Sequence, residues 1–217
     1  QSRSRLIWNN QFKMIETMYD IFKIRIKQTL ILIFLCVFWA ASSYSETSDS
    51  LVGKVAPLLS GKKALGSGLL KLTNLMTEVS FERDEAGKLM EVNGKYVMQI
   101  KKNVVVLNFF ATTCIPCIRE IPSYNKLAEK YKNKPVKFIY VNVDTEVSDQ
   151  KIARFIARRR IKVPMMMPNQ KDAIKKYRVY SLPRIVIIDR HRKIAHEIMG
   201  FKKDLVAQLT ELIDDLL

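Results

Sequence analysis

Histidine and cysteine are scarce in this sequence, and their scarcity argues against most metal sites. The 217 residues include two His and three Cys. A structural zinc site takes about four such ligands, and besides the Cys114 and Cys117 pair only Cys36 and the two His remain. A c-type haem attachment site needs a His directly after its second Cys, whereas Ile118 follows Cys117. We therefore expect no metal and no other cofactor.

Acidic residues are few relative to basic ones. Lys and Arg number 37 against 21 Asp and Glu, which gives a formal net charge of +16. Such a balance favours anionic partners, for example lipid headgroups, acidic proteins or nucleic acid, but specifies no fold. The densest basic run, Arg158 to Lys162, has no aromatic residues interleaved with it. We interpret it as a solvated helix end and expect no nucleic-acid partner.

Repeats and low-complexity tracts are absent, and one apolar run stands out near the N-terminus. Residues 30–41 are uncharged, a basic stretch over 23–27 precedes them, and small residues follow at 42–45. This order is typical of a secretory signal peptide. If it is retained, residues 24–41 could instead anchor the chain in a membrane, although a full span takes about 20 apolar residues. Either outcome predicts an extracytoplasmic protein, in the periplasm or on the outer face of the cytoplasmic membrane.

The chain divides into three predicted parts. It begins with Gln1 rather than Met, and we assign residues 1–45 to upstream sequence plus the signal peptide or anchor. Residues 46–75 give weak signals and are predicted to be a linker or irregular segment. Residues 76–217 carry the alternating strand and helix patterns of a folded domain.

Within this domain, the pattern predicts an α/β fold. The β-branched and aromatic run Val104–Phe110 is typical of a central strand covered on both faces. An N-terminal hairpin is expected around the turn at 84–87, with strands over 79–81 and 88–92. The elements after residue 104 follow the order β-α-β-α and then β-β-α, which implies parallel strands first and an antiparallel hairpin later.

Two cysteines, Cys114 and Cys117, fall where the central strand ends and a helix over about 114–131 begins. Thiols at positions i and i+3 of a first helical turn lie close enough to form a disulfide. The positive potential of the helix N-terminus favours a thiolate at Cys114, which we expect to be the exposed nucleophile. Cys117, one turn later, is expected to be buried and to resolve a mixed disulfide. A purely structural disulfide would stabilise little, since the loop it closes is so short.

The stretch from Leu107 to Cys117, Leu-Asn-Phe-Phe-Ala-Thr-Thr-Cys-Ile-Pro-Cys, closely resembles the active site of TlpA/ResA-like thiol–disulfide oxidoreductases. This family is the extracytoplasmic branch of the thioredoxin superfamily. The resemblance implies a thioredoxin fold, with a central mixed β-sheet flanked by helices and an N-terminal β-hairpin extension. It also implies that Leu182 and Pro183 belong to a cis-proline loop that faces the cysteines and binds the substrate.

The resemblance assigns a third catalytic residue, Glu120. It stands at the place of the family's buried acid, and the helix puts it on the same side as Cys117. Burial is expected to raise the pKa of its carboxyl group, which could then exchange a proton with Cys117. Cytoplasmic thioredoxins have an Asp on the central strand for this task, where this chain has Asn108. One departure concerns Thr113, a predicted substrate-binding residue, because the family usually has Trp there.

The function implied by the resemblance is reduction of disulfides in exported partner proteins, for instance during cytochrome c maturation. A membrane electron donor is then expected to regenerate the dithiol. Two alternatives remain open at this point. A peroxiredoxin-like peroxidase would not usually have Cys117 three residues after its reactive Cys, and a copper-delivery module, suggested by Met165–Met167, would usually have wider Cys spacing and a distant His.

Overall fold

A seven-stranded mixed sheet organises residues 50–217, the part of the chain that the computed structural model describes. The strands are β1 (Ser60–Lys63), β2 (Leu69–Lys71), β3 (Thr77–Phe81), β4 (Glu91–Val92), β5 (Lys95–Tyr96), β6 (Met98–Lys102), β7 (Val104–Phe110), β8 (Val136–Asn142), β9 (Met165–Pro168), β10 (Arg184–Ile188) and β11 (Ile194–Met199). The helices are α1 (Leu72–Met76), α2 (Ile115–Lys130), α3 (Asp149–Arg159), α4 (Gln170–Tyr177) and α5 (Leu205–Asp214). The strand order in the large sheet is β11-β10-β7-β8-β9-β1-β2.

Strand β7 is an interior strand of the sheet that is covered on both faces, as predicted. It pairs in parallel with β8, from Val104 opposite Val136 to Phe110 opposite Asn142, and antiparallel with β10. All seven of its residues are buried. The residues are buried because helices cover both faces of the sheet. A strand in this position has no face exposed to water.

The two faces of the sheet bury separate apolar clusters. Helices α2, α3 and α5 cover one face, and their buried side chains pack on alternate residues of β7, including Val106 and Phe110. Helices α1 and α4 cover the other face and pack on Val105, Leu107 and Phe109. The active-site helix α2 therefore lies against the same face as α3 and α5.

The predicted linker over residues 46–75 is wrong for its described part. Strand β1 pairs antiparallel with β9 on one side and with β2 on the other, so the sheet extends into this segment. Leu51, Ala56 and Leu59 are buried against the face that carries α1 and α4. The sequence signal is weak because β1 and β2 are only four and three residues long, too short for a clear alternation.

Gly61 provides a test of this edge pairing. A Cβ atom placed on Gly61 would lie 2.5 Å from the carbonyl oxygen of Met167 on β9. Because that neighbour is backbone, the strands would have to separate, and we expect Gly61→Ala to lower the free energy of unfolding by about 2 kcal/mol. Urea denaturation measures the change. The control is Ser60→Ala at the exposed neighbouring position, which should alter stability by less than about 0.5 kcal/mol. Equal stabilities of the two variants would contradict the pairing of β1 with β9.

The N-terminal β extension is present, but its strands pair differently from the prediction. The turn over 84–87 forms as expected, and its last residue donates its N–H to the carbonyl of its first with an N···O distance of 2.9 Å. Residues 88–90 pair with the chain directly after β3, through an antiparallel bridge between Arg83 and Leu89, whereas β3 itself pairs with β6. Asn93 and Gly94 both have positive φ, at 53° and 75°, and close a separate two-residue hairpin between β4 and β5. Asn-Gly is a strong signal for such a turn. Because of this turn, residues 91–92 pair with residues 95–96 and not with β3.

None of the helices within residues 50–217 is long and apolar enough to cross a membrane. The predicted signal peptide or anchor, within residues 1–45 and with its apolar run at 30–41, lies outside the described residues and stays a prediction.

Candidate active site

The turn between β7 and α2 places both cysteines at one edge of the sheet. Cys114 is the N-cap of α2, with an extended backbone, and its Sγ accepts a hydrogen bond from the N–H of Cys117 at 3.2 Å. Pro116 lies in the first turn of the helix, where its missing N–H would have no helical partner in any case. The helix therefore begins at the cysteine pair, and the Cys117 N–H of its first turn points at the Cys114 sulfur.

Cys114 and Cys117 form a disulfide, with 2.03 Å between the sulfur atoms and 5.3 Å between the Cα atoms. Cys114 is half-buried, whereas Cys117 has an exposed fraction of only 2%. A partner molecule can therefore reach the sulfur of Cys114 but not that of Cys117. This difference is the one that the predicted roles of nucleophile and resolving cysteine require.

Glu120 lies one turn beyond Cys117 on α2 and is 2% exposed. Its Oε1 atom accepts a hydrogen bond from the backbone N–H of Lys202 at 3.2 Å. Its Oε2 atom has no hydrogen-bond partner among the described residues. Burial raises the pKa of this carboxyl group to about 7, and the Lys202 N–H offsets only part of the effect. Near neutral pH, Glu120 can therefore either hold or release a proton.

Two polar residues on the neighbouring strands share the buried environment of α2. Asn108 on β7 and Tyr140 on β8 are register partners, and both are buried. The Asn108 Oδ1 atom and the Tyr140 hydroxyl have no hydrogen-bond partners within residues 50–217. Burial first, and then the nearby Glu120 carboxylate, raise the pKa of Tyr140 far above its usual value. Neither residue can replace Glu120 as an acid or base near neutral pH.

The loop before β10 brings the remaining predicted residues to the same edge. The Leu182–Pro183 peptide bond is cis. Arg184, the first residue of β10, is paired with Phe109 near the end of β7, so the loop lies level with the chain that leads into Cys114. Pro183 is buried, Leu182 is half-buried and Thr113 is exposed. The structure thus gathers all six predicted site residues around the carboxyl end of β7.

Two contacts at this edge involve residues that the sequence did not single out. The N–H of Thr112 donates to both carboxylate oxygens of Asp144, at 3.0 and 2.9 Å. The side-chain amide of Asn142 also donates to Asp144, at 2.7 Å. These bonds fix the approach to Cys114 from the adjacent strand. The sequence feature that could have indicated these contacts is the pair of polar residues, Asn142 and Asp144, at the end of the apolar strand β8.

Comparison with known proteins decides the family. The sequence model of the Redoxin family matches residues 85–213, more than half of the chain. The chain belongs to the redoxin family, in its TlpA/ResA-like branch. Two curated relatives of this redoxin are the thiol–disulfide oxidoreductases ResA of Bacillus thuringiensis and of Halalkalibacterium halodurans. The first is 33% identical over 127 residues, covering 55% of this chain and 72% of the relative. The second is 31% identical over 130 residues, covering 59% and 68%.

Solved structures confirm the thioredoxin fold of the redoxin. The thioredoxin domain of a thiol–disulfide oxidoreductase from Bacteroides vulgatus matches it with a TM-score of 0.58 and 18% identity, covering 76% of this chain and 99% of that chain. A thiol:disulfide interchange protein from Chlorobium tepidum gives a TM-score of 0.55 at 18% identity, covering 78% and 99%.

The redoxin is a thiol–disulfide oxidoreductase, as its Cys-Ile-Pro-Cys motif predicts. This result favours disulfide exchange over the peroxidase and copper-delivery alternatives. Met165 and Met166, which prompted the copper alternative, are buried in β9 with exposed fractions of 3% and 0%. They pack in the core, where flexible thioether side chains fill irregular space.

Proposed function

We propose that this redoxin acts outside the cytoplasm and reduces disulfides in exported partner proteins. The observation that carries the proposal is the buried carboxyl group of Glu120 one turn from Cys117, with a pKa of about 7. A reductant must deprotonate its second thiol after the first has reacted, and such a group can accept that proton at neutral pH. The apolar run at residues 30–41, with its basic flank, supports export.

The reaction proceeds through two exchanges. The Cys114 thiolate attacks one sulfur of the partner's disulfide, forms a mixed disulfide and displaces the partner's other sulfur as a thiolate. Glu120 then takes the proton of Cys117, whose thiolate attacks the Cys114 sulfur. The partner leaves with both cysteines reduced, and the redoxin holds the Cys114–Cys117 disulfide. Two electrons have passed to the partner, so an external dithiol, which we assign to a membrane electron donor, must reduce the pair again.

The partner is proposed to bind across Thr113, Leu182 and Pro183. Leu182 lies just outside β10, which begins at Arg184, at the edge where Cys114 is accessible. An extended segment of the partner could add alongside this backbone, in the manner of β-augmentation. Such binding uses main-chain hydrogen bonds and depends little on the partner's side chains. It therefore suits a reductant with several substrates. Cytochrome c precursors, whose haem-binding cysteines must be reduced, are one class of partner that this activity would serve.

Thiol labelling of intact cells tests the location and the direction of exchange together. A membrane-impermeant maleimide is added to cells of the producing organism, as spheroplasts if an outer membrane is present. We expect immediate labelling at Cys114, because the pair is held reduced outside the cytoplasm. Cys114→Ser is the control and should remove this label. Labelling only after added dithiothreitol would indicate an exported oxidant, and labelling only after lysis would indicate a cytoplasmic protein; either result contradicts the proposal.

A further inference from the structure

A cleft of about 570 Å³ opens directly beside the cysteine turn. Thr112 and Thr113, the two residues before Cys114, form one side of it. Helix α3 forms the other side with Lys151, Arg154 and Arg158. A partner whose disulfide reaches Cys114 must therefore pass next to this cleft.

Three cations share one wall of the cleft because of their helical spacing. Lys151, Arg154 and Arg158 are at positions i, i+3 and i+7 of α3, which lie on one face of a helix. No carboxylate within residues 50–217 forms an ion pair with any of them. Within the described part of the chain, their side chains make one hydrogen bond, a long one of 3.4 Å from the Arg154 Nε atom to the carbonyl of Gln150 in the same helix.

The acids that flank the cleft in the sequence do not neutralise it. Asp144 accepts hydrogen bonds from the Thr112 N–H and from Asn142. Asp149, at the start of α3, forms an ion pair with Lys62 at 2.5 Å. The Asp144 charge therefore lies at the Thr112 side of the cleft, the Asp149 charge is paired with Lys62, and the third acid of this stretch, Glu146, is exposed and does not line the cleft. The three cations of the α3 wall outnumber the Asp144 charge, so the cleft has a net positive charge.

Contacts in the middle of α3 and at its C-terminal end hold the cleft in shape. Phe155, a lining residue, packs on Phe110 with 5.4 Å between ring centroids, and Phe110 is the last residue of β7. At the C-terminal end, Asn125 of α2 donates to the carbonyl of Arg160 at 2.8 Å and accepts from the N–H of Lys162 at 3.0 Å. Helix α3 is thus tied to the strand and to the helix that carry the cysteines. A preorganised site loses less entropy on binding than a flexible one.

We propose that this cleft docks an acidic segment of the partner protein, next to the disulfide to be reduced. The inference rests on the proposed reduction of partner disulfides and adds the class of partner. Carboxylates on the partner would face Lys151, Arg154 and Arg158, while apolar parts of the segment would contact the Phe155 ring. Charge of one sign beside a reactive group raises the rate of encounter with oppositely charged partners, and salt weakens the effect.

The test compares two synthetic peptides with the same intramolecular disulfide. One has four Asp or Glu residues beside the disulfide, and the other has Asn and Gln at the same positions. We expect the reduced full-length protein to give a kcat/KM about tenfold higher for the acidic peptide at low ionic strength. The ratio should fall towards one as salt is added.

Two charge-matched triple variants locate the effect. Lys151→Gln, Arg154→Gln and Arg158→Gln together should bring the ratio close to one. The control combines Lys54→Gln, Lys171→Gln and Lys175→Gln, three exposed positions away from the cleft. It removes the same net charge and should keep most of the preference. A similar loss in both variants would show that only the overall charge matters and would overturn the proposal.

The remaining outcomes separate this proposal from the proposed function. If the wild type reduces neither peptide, reduction of partner disulfides is itself wrong. If it reduces both at the same rate, the reduction stands and the cleft has no role in docking acidic segments. If the ratio is one and phosphatidylglycerol vesicles bind the wild type but not the cleft variant, the cleft belongs to lipid headgroups, which also overturns the proposal.

Discussion

Cys114→Ser is expected to abolish turnover of disulfide substrates. The serine hydroxyl cannot form a mixed disulfide, and Cys117, at 2% exposure, cannot take over as nucleophile. The rate should fall by on the order of 10³-fold or more, since the covalent step is lost entirely. The measurement is the steady-state reduction of a model disulfide with an excess of an external dithiol. Residual turnover within tenfold of the wild type would mean that the nucleophile has been assigned wrongly.

Cys117→Ser should fail at a later step. Cys114 still attacks the partner, but no second thiol releases the product, so the mixed disulfide accumulates. Non-reducing electrophoresis or intact mass measurement detects the adduct. The control for both variants is Cys36→Ser, the same chemical change at the third cysteine, which should leave the turnover of the purified protein unaltered. An adduct trapped through Cys117 in the Cys114→Ser variant would reverse the two roles.

Glu120→Gln is expected to change how stability depends on pH. In the folded protein burial raises the pKa of Glu120 from its ordinary value of 4.5 to about 7, so the folded state binds the proton more tightly than the unfolded chain does. The contribution of protonated Glu120 to the free energy of unfolding is therefore fully present below pH 4.5 and is lost as the pH rises through about 7. The difference between the two pKa values corresponds to about 3 kcal/mol in the free energy of unfolding.

Urea denaturation of the oxidised protein between pH 4.5 and 8.5 measures this effect. The free energy of unfolding of the wild type, relative to that of Glu120→Gln, should fall by about 3 kcal/mol across the range. Glu129→Gln is the matched control on the same helix, because the Glu129 side chain is 65% exposed. It should show no comparable slope. A relative stability that stays flat between pH 5 and 8 would mean that Glu120 is not desolvated.

The same variant bears on the chemistry. Without a group to accept the proton of Cys117, release of the partner from the mixed disulfide should slow down. The rate at which iodoacetamide alkylates reduced Cys114 is also expected to follow a different pH profile, because the variant removes a negative charge one turn from Cys117. Unchanged turnover and superimposable profiles would leave Glu120 with a structural role only.

The sequence alone predicts the structural features that depend on residues close together in the chain. The strand at Val104–Phe110, the helix after it and the cysteine pair between them follow from apolar patterning and from the spacing of Cys114 and Cys117. The burial of Glu120 was implied by the family resemblance, and its place one turn beyond Cys117 on the same helix agrees with it. Each of these features depends on residues within about one helical turn or one strand, which a single sequence displays directly.

Contacts between distant parts of the chain could not be predicted in this way. The bond from Lys202 to Glu120 joins positions 82 apart in the sequence, and the bonds from Thr112 to Asp144 join positions 32 apart. Strands β1 and β2 were missed for a related reason. Short edge strands owe their place to the neighbour they pair with, here β9, and not to a pattern of their own.

The hydrogen bond to Glu120 has an evolutionary consequence. Its donor is the main-chain N–H of residue 202, which nineteen of the twenty amino acids carry; only proline lacks it. Substitutions at position 202 other than to proline therefore keep the N–H donor to Glu120, whatever the size or charge of the new side chain. Residue identity at position 202 therefore carries no record of this contact, although the proton affinity of the active site depends in part on the main-chain N–H found there.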